Sequence, residues 1–245
     1  MPNLVTFDFH NTLAICDEWF YLEIRDLPAD VLEHIDPATM RIHDRADVIS
    51  RYRTLRQGVM ASGREIDALD GVARVFDEMG LEIERTTIAE SIRHLMQGAM
   101  EHVQPVPGAV EAVQEIASRG IPVGVISSAV YHPFLEWSLE SFGVSDDLAF
   151  VVTSASSGHY KSNPEIYRYA MSLAQAEARN SIHIGDSPKW DVWSAQQTGM
   201  RAVLFSNGMT GTMVDRDPES EPDFTVETMS EVAPWVLDQL GVVAK

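Results

Sequence analysis

The earliest apolar run in the chain is short and ends in an acid. Residues 4–9, Leu-Val-Thr-Phe-Asp-Phe, are rich in β-branched and aromatic side chains, and this pattern predicts a buried strand. Asp8 lies at the carboxyl end of the run, and a polar turn follows it. A second apolar run, residues 181–185, is followed directly by Asp186. The pattern therefore predicts two strands that each present a carboxylate at the carboxyl end.

Between these two runs the spacing of apolar residues first becomes helical. From about Cys16 to Val103, apolar residues recur at intervals of three and four, which predicts amphipathic helices and no strand. The clearest stretches contain Ile66, Leu69, Val72, Val75, Phe76 and Met79, and then Ile88, Ile92, Leu95, Met96, Ala99 and Val103. Residues 104–108, Gln-Pro-Val-Pro-Gly, predict a stiff, hinge-like connector after this region.

The rest of the chain alternates between helices and strands. The predicted helices are residues 109–119, 133–142, a helix that Asn163 caps and Pro164 starts, and 189–198. The predicted strands are residues 121–126, 149–153, 181–185 and 201–205. A polar, acidic loop at 206–222 precedes a terminal helix, which opens with a capping box from Thr228 to Glu231.

This alternation indicates right-handed βαβ units and a mostly parallel sheet. The predicted fold class is α/β, with a Rossmann-like parallel sheet flanked by helices. We expect residues 1–16 and 105–245 to form this core, and residues 17–104 to form an inserted α-helical domain. Parallel sheets bind ligands at the carboxyl ends of their strands.

Four polar residues converge on that edge of the sheet. Asp8, Ser127 and Asp186 each end a predicted strand, and Lys161 follows one closely. Two carboxylates at strand ends can hold one hard cation, and one of them can also attack phosphorus. The sequence therefore predicts a candidate site at this edge.

Composition narrows the class of protein. Hydrophobic residues make up 45% of the chain, which is ample for an apolar core. Cys16 is the only cysteine, so an internal disulfide and a cysteine metal cluster are both ruled out. We expect Cys16 to be a small buried apolar residue. The formal charge of −19 argues against nucleic acid as a partner. No signal peptide and no membrane-spanning stretch are predicted, so we expect a soluble, cytoplasmic protein.

Taken together, four motifs in this order resemble those of the haloacid dehalogenase superfamily, whose members are mostly phosphate-ester hydrolases. The match covers about 200 residues. The motifs are Asp8-Phe9-His10-Asn11-Thr12-Leu13, Ser127 after an apolar strand, Lys161 ahead of a helix, and Gly185-Asp186-Ser187 with Asp191 five residues beyond Asp186. The inserted helices resemble the superfamily's α-helical C1-type cap domain, which lies between the first and second motifs.

The resemblance implies a role for each acid. Asp8 would be the nucleophile that forms an aspartyl-phosphate, and it would bind Mg²⁺ together with Asp186 and the backbone carbonyl of His10. Asp191 would hold the metal's water ligands or Lys161 from the second coordination shell, with Ser187 a weaker candidate there. The alternative is that Asp191 is an acid at the start of a helix, where the helix dipole stabilises its negative charge.

The resemblance also implies a phosphate-binding set. Ser127, with backbone N–H groups near Ser128, would donate hydrogen bonds to a phosphate oxygen, although a serine that caps the next helix is the alternative. Lys161 would neutralise the nucleophile and the phosphoryl group. A surface lysine is the usual alternative, but the chain has only three lysines and this one lies between a strand and a helix.

His10 departs from the family pattern, which has an aspartate two residues after the nucleophile. In one interpretation His10 is the general acid and base of a phosphatase. In a second, the leaving group needs no acid, as in haloacid dehalogenases, although the acidic fourth motif favours phosphoryl transfer. In a third, the enzyme is impaired and the fold serves as a binding protein.

Specificity in such proteins depends on the cap. An arginine-rich stretch, residues 41–56, could bind an anionic part of the substrate, or form a solvated helix face. Trp19, Phe20 and Tyr21 could line the entrance or pack the cap onto the core, and Tyr131 and His132 could border the pocket. We expect the partner to be a small phosphorylated metabolite, neither a nucleic acid nor a membrane, and the protein to be a monomer or a homodimer.

Overall fold

A six-stranded parallel sheet lies at the centre of the computed structural model, which describes residues 3–206 and 221–242. The strands in chain order are β1 (Leu4–Phe7), β2 (Ala14–Ile15), β3 (Gln104–Pro105), β4 (Val123–Ser127), β5 (Phe150–Thr153), β6 (Ser181–Gly185), β7 (Arg201–Phe205) and β8 (Phe224–Val226). The order across the sheet is β5-β4-β1-β6-β7-β8, with every neighbouring pair parallel. This confirms the predicted α/β class.

Helices account for most of the remaining described chain. The α-helices are α1 (Asp17–Tyr21), α2 (Leu27–Ile35), α3 (Pro37–Ile42), α4 (Arg45–Ser62), α5 (Ala68–Glu78), α6 (Arg85–Ala99), α7 (Ala109–Ser118), α8 (His132–Ser141), α9 (Ser154–Ser157), α10 (Glu165–Leu173), α11 (Ser194–Gln196) and α12 (Val232–Gln239). Two π-helical segments (Leu22–Asp26, Pro188–Trp193) and four 3₁₀ turns (Met100–His102, Ser145–Asp147, Ala178–Asn180, Met229–Glu231) complete the set. None of the helices in these ranges has the length and apolar character needed to cross a bilayer.

Helices α1 to α6, with the first π-helical segment and the first 3₁₀ turn, form an excursion from the sheet that we call the helical insert (residues 17–102). The insert leaves after β2 and returns at β3, and these two short strands pair antiparallel, Ala14 with Pro105 and Ile15 with Gln104. The predicted connector at 104–108 thus begins as a strand. The predicted boundaries of two domains stay a prediction.

Alternate residues of the central strands face two separate apolar cores. Val5 and Phe7 of β1 pack in a large core that also contains buried residues of α7, α8 and the helical insert. Leu4 packs in a smaller core with Ile166 and Tyr167 of α10. Because successive side chains of a strand point to opposite faces, helices on both faces keep β1 fully buried.

Two local features differ from the sequence prediction. Residues 188–193 form a π-helical segment, where a regular helix over 189–198 was predicted. Strand β8 was not predicted, because two of its three residues are exposed and it lacks a buried strand's apolar pattern. The predicted acidic loop at 206–222 lies, apart from its ends, outside the described residues. The capping box from Thr228 to Glu231 is confirmed, although its first turn is 3₁₀.

Candidate active site

Pairing between the two central strands continues one residue past β1 and brings two acids together. The backbone N–H of Asp8 donates to the carbonyl of Ile184 at 2.8 Å, which holds Asp8 beside the end of β6. Asp186 follows β6 directly. One carboxylate oxygen from each of Asp8, Asp186 and Asp191 lies within 4.8 Å of the others. Asp8 is only 7% exposed, so this acidic group is nearly shielded from solvent.

Lys161 lies between these acids. Its Nζ is 2.5 Å from Asp8 Oδ1 and 2.5 Å from Asp191 Oδ1, and the residue is 3% exposed. Burial opposes its charge, but the two carboxylates keep the pKa of Lys161 above its usual value. The structure therefore places Lys161 inside the candidate site and not on the surface.

Asp191 has partners for both of its oxygens. Besides Lys161, Oδ1 accepts from Nε2 of His183 at 3.1 Å, and Oδ2 accepts from the backbone N–H of Ser187 at 2.9 Å. Burial works against ionisation, yet Lys161 and His183 hold the pKa of Asp191 below its usual value. A carboxylate engaged in this way orients its neighbours and has little capacity left to bind a metal directly.

The pKa values of the other two acids shift in the opposite direction, upward. Burial raises the pKa of Asp8 to about 6, although Lys161 opposes the rise. Burial and the charges of Asp8 and Asp191 raise the pKa of Asp186 well above its usual value. With all three acids ionised and one lysine present, the group carries two uncompensated negative charges. The donor set is all oxygen, which together with this charge suits a divalent cation such as Mg²⁺.

The two serines of the second motif lie beside this group. Ser127 is the buried last residue of β4, and Ser128 follows it. The backbone N–H of Lys161 donates to Ser128 Oγ at 3.2 Å. Ser128 therefore connects the loop after β4 to the loop that carries Lys161.

His10 contacts the start of the helical insert. Its ring stacks on Phe20 with centroids 4.4 Å apart and planes 9° apart, and its Nε2 lies 3.3 Å from Asp17 Oδ1. Burial lowers the pKa of His10, and Asp17 opposes this. Trp19 is buried and stacks on Phe134 of α8 at 4.8 Å. Trp19 therefore packs the insert onto the core, while Phe20 supports His10.

Several functional contacts are not evident from the sequence. The His183 ring joins Thr6 and Asp191, with Nδ1 2.9 Å from Thr6 Oγ1, and burial lowers the pKa of His183. A neutral ring that donates from Nε2 and accepts at Nδ1 satisfies both contacts. The sequence did contain a signal for these contacts, because a histidine in a strand predicted to be buried needs hydrogen-bond partners. The sequence interpretation missed it, and also missed Glu23, Arg56 and Glu65.

Two arginines of the arginine-rich stretch form ion pairs on the surface. Arg51 pairs with Asp47 within α4, and Arg45 pairs with Asp30 and Glu33. Arg56 differs, because its side chain is 2% exposed and pairs with the buried carboxylate of Glu65.

Comparisons with known proteins place this sequence in a family. The sequence profile of the haloacid dehalogenase-like hydrolase family matches residues 2–199. The haloacid dehalogenase-like hydrolase domain-containing protein 3 of Bos taurus is 35% identical over 103 residues, 42% of this chain and 40% of that protein. Thus the chain spans less than half the length of this relative.

Two further comparisons cover more of the chain. The glyceraldehyde 3-phosphate phosphatase of Methanopyrus kandleri is 23% identical over 199 residues, 79% of this chain and 80% of that protein. The crystal structure of a 2-haloacid dehalogenase from Pseudomonas syringae has a TM-score of 0.69 and 22% identity, covering 98% of this chain and 99% of that chain. At this identity the likeness shows a common fold.

The family profile extends from the first strand through the π-helical segment that carries Asp191, so it includes all four motifs that form the candidate site. This chain belongs to the haloacid dehalogenase-like hydrolase family.

Proposed function

We propose that the protein is a Mg²⁺-dependent phosphatase that hydrolyses a small phosphate monoester through Asp8. The observation that carries the proposal is the buried group in which Lys161 contacts Asp8 and Asp191, with Asp186 beside them. Three acids and one lysine at the carboxyl ends of parallel strands suit phosphoryl transfer. A relative named as a glyceraldehyde 3-phosphate phosphatase supports the same class of substrate.

In the first step, a carboxylate oxygen of Asp8 attacks phosphorus in line with the ester oxygen. The bond between phosphorus and that oxygen breaks, its electron pair leaves with the alcohol oxygen, and His10 donates the proton that this oxygen takes up. In the second step, His10 accepts a proton from water, and the water oxygen attacks phosphorus. The aspartyl-phosphate bond then breaks, which releases inorganic phosphate and restores Asp8.

Lys161 has two tasks in this proposal. Its ammonium compensates the charge of Asp8 before the reaction and of the phosphoryl oxygens during it. Its position is fixed because Asp191 holds the same Nζ at 2.5 Å. Ser127 and the backbone N–H groups near Ser128 would donate to the phosphoryl oxygens.

The acidic group fits a bound Mg²⁺, which Asp8, Asp186 and the backbone carbonyl of His10 would hold. Asp191 would act from the second coordination shell, because both of its oxygens already accept hydrogen bonds. When bound, the cation supplies positive charge that the group lacks and orients the phosphoryl group.

In this proposal the helical insert acts as a cap. Asp8 is 7% exposed and Lys161 is 3% exposed with the insert in its present position, so bulk water has little access to them. Exclusion of water strengthens the electrostatic interactions within the site. The cap would also supply the contacts that select the substrate.

Dehalogenation is the second candidate, and His10 favours it, because a carbon–halogen bond breaks without a proton donor at the leaving group. Asp186 counts against it, since a third carboxylate adds negative charge where a released halide would be. A non-catalytic binding protein is a further alternative suggested by His10.

The test is phosphate release from a panel of phosphate monoesters, with Mg²⁺ and with EDTA, using Asp8→Asn as the control. We expect turnover that EDTA stops and that the variant lacks. Phosphate release that persists unchanged in Asp8→Asn would sink the proposal. Halide release from a 2-haloacid, added as a further substrate, that is insensitive to EDTA would support dehalogenation, and ligand-induced stabilisation with no turnover would support a binding protein.

A further inference from the structure

The loop between α4 and α5, together with the first residue of α5, hydrogen-bonds the core through its backbone; we call residues 63–68 the docking loop. The N–H of Tyr160 donates to the carbonyl of Gly63 at 3.1 Å, and the N–H of Glu65 donates to the carbonyl of Gly158 at 3.0 Å. The N–H of Ala68 donates to the carbonyl of Val130 at 3.0 Å. The docking loop thus reaches both the loop before Lys161 and the loop after β4.

Glu65 adds a buried side-chain connection at the same place. Its carboxylate accepts from Arg56 Nη1 at 2.5 Å and from Nη2 at 3.2 Å, and Ser154 Oγ lies 2.5 Å from Oε2. The Glu65 side chain is 1% exposed. Arg56 belongs to the insert and Ser154 to the core, so one carboxylate joins the two parts.

A second carboxylate of the insert holds the loop after β4 directly. Oε1 of Glu23 accepts from the backbone N–H of Val130 at 3.0 Å and of Tyr131 at 3.2 Å. Glu23 is 2% exposed. Two buried amides that would otherwise need partners are satisfied by this one side chain.

Both loops lead to the phosphate-binding side of the candidate site. Ser128 lies two residues before Val130, and Lys161 follows Tyr160. The Arg56 guanidinium lies 5.9 Å from the centre of the Tyr160 ring, and the next residue, Lys161, donates its backbone N–H to Ser128 Oγ. Contacts from the insert therefore surround the point where Ser128 and Lys161 meet.

We propose that Glu23 and Glu65 are positioning residues that assemble the phosphate-binding half of the site, so that this half forms only when the helical insert is docked. The proposal rests on the proposed function, because it takes Ser128 and Lys161 as the groups that meet the phosphoryl oxygens. Neither glutamate is one of the four family motifs.

The choice of residue types supports this role. Burying charged groups is costly, and apolar side chains of similar size often stabilise a fold as well or better. Apolar side chains could not accept hydrogen bonds from the N–H groups of Val130 and Tyr131. The carboxylates therefore supply a directional contact with the core loops that packing alone would not give.

The main test compares Glu23→Ala, which removes the acceptor, with Glu23→Gln, which keeps an amide oxygen at the same place. Ile88→Ala, at a buried position of α6, controls for loss of stability without loss of this contact. Two readouts apply to the full chain: hydrogen exchange of the amides in residues 128–131 and 158–161, and KM for a phosphate ester together with inhibition by inorganic phosphate.

We expect Glu23→Ala to speed exchange in both segments and to raise KM and the inhibition constant of phosphate about tenfold, the scale of one lost hydrogen bond. In Glu23→Gln both readouts should stay close to those of the unmodified protein, and Ile88→Ala should change neither. The proposal is overturned for Glu23 if the alanine variant behaves like Ile88→Ala, or if glutamine fails to restore exchange.

Ser154→Ala tests Glu65, because it breaks the link to the core and leaves the Arg56 pair intact. Faster exchange in residues 158–161 would support the role of Glu65, and unchanged exchange would overturn it. If the unmodified protein releases no phosphate, the proposed function is wrong. Hydrogen exchange needs no substrate, so the exchange comparison would still test whether Glu23 and Glu65 position these loops.

Discussion

His10 is the residue that separates this chain most clearly from the pattern of its family. Its ring is held by Phe20 and Asp17, both at the start of the insert. His10 follows Asp8 closely along the chain, just beyond the end of β1, while its side-chain contacts lie on the insert. This placement makes a proton donor at the boundary between core and insert a testable role.

Replacement of His10 tests that role. His10→Ala should slow hydrolysis of esters with poor leaving groups, such as alkyl alcohols, by about 10²- to 10⁴-fold, the usual contribution of general acid–base catalysis. Esters of acidic phenols should be affected much less, because their leaving oxygen needs no proton. The measurement is kcat/KM across a series of leaving groups.

Phe20→Leu is the matched control, since it removes the stacked ring but leaves the His10 nitrogens. Because the His10 nitrogens remain, the loss for esters with poor leaving groups should be much smaller than in His10→Ala. Equal losses for good and poor leaving groups in His10→Ala would contradict the acid–base role.

Glu23 should make stability depend on pH. Burial and the nearby Glu65 raise the pKa of Glu23 well above 4.5, although Arg56 opposes this, so the folded protein binds this proton more tightly than the unfolded chain does. Its protonation favours folding below the unfolded pKa, and this contribution is lost as pH rises toward the folded pKa. Glu23→Gln cannot titrate and keeps the hydrogen-bond acceptor.

The measurement is the free energy of urea unfolding at several pH values for both proteins. The stability of Glu23→Gln relative to the unmodified protein should increase as pH rises above about 5, then level off above the folded pKa. The titration of Asp8 is common to both proteins and largely cancels in the difference. A difference that is constant over this range would contradict a raised pKa for Glu23.

At the scale of residues, the sequence predicts the position of a side chain that lies at the end of a strand. Asp8, Ser127 and Asp186 were assigned to one edge of the sheet because each follows an apolar run. Glu23 and Glu65 could not be predicted, because their core partners lie 107 and 89 residues away along the chain. No local pattern records a contact made by docking one segment onto another.

At the scale of elements, the passage from β6 into the π-helical segment shapes the site. A side chain at Gly185 would place its Cβ 2.2 Å from Cγ of Asp191, so only glycine lets the segment fold back over the strand end. The extra residue per turn in a π-helix is often found at functional sites. Here it lets the Asp191 carboxylate reach Lys161, His183 and the Ser187 amide together.

Gly185→Ala should therefore displace Asp191 and release Lys161. We expect a loss of stability of about 1–3 kcal/mol from overpacking, and a large loss of activity. Gly98→Ala is the matched control, because nothing lies within 4 Å of its added Cβ and α6 favours alanine over glycine. Thermal unfolding and phosphate release measure the two effects, and full activity in Gly185→Ala would contradict the account.

The predictability of elements follows their burial. Strands β1, β4 and β6 are buried at every residue, and their continuous apolar runs were recognised. Strands β2 and β3 have two residues each, and β8 is mostly exposed, so none of them gives a clear period. The π-helical segment was taken for a regular helix because a change of helical pitch leaves no mark in hydrophobic spacing.

At the scale of the whole molecule, the formal charge of −19 makes cation binding a matter of stability as well as chemistry. Mg²⁺ that binds only the folded state should raise the free energy of unfolding, by about 2.7 kcal/mol at 100 times the dissociation constant. The melting temperature should therefore rise with Mg²⁺ concentration. EDTA should reverse the increase.

Asp186→Asn should reduce this Mg²⁺-induced shift, because it removes one of the three clustered carboxylates. Asp146→Asn, on an exposed 3₁₀ turn, changes the net charge equally and should keep the full shift. Equal shifts in the two variants would mean that Mg²⁺ screens the general surface charge and does not bind at the strand ends.

The pairing of β2 with β3 has a consequence for how such a protein changes over evolutionary time. Since Ala14 lies opposite Pro105, the polypeptide departs from the sheet and comes back at almost the same point. A detour of this kind can grow, shrink or be replaced by recombination without disturbing the order of the strands. If the insert selects the substrate, as proposed, new substrate preferences can arise in lineages that inherit the reacting groups intact, provided that each replacement detour again supplies acceptors for the loops it covers.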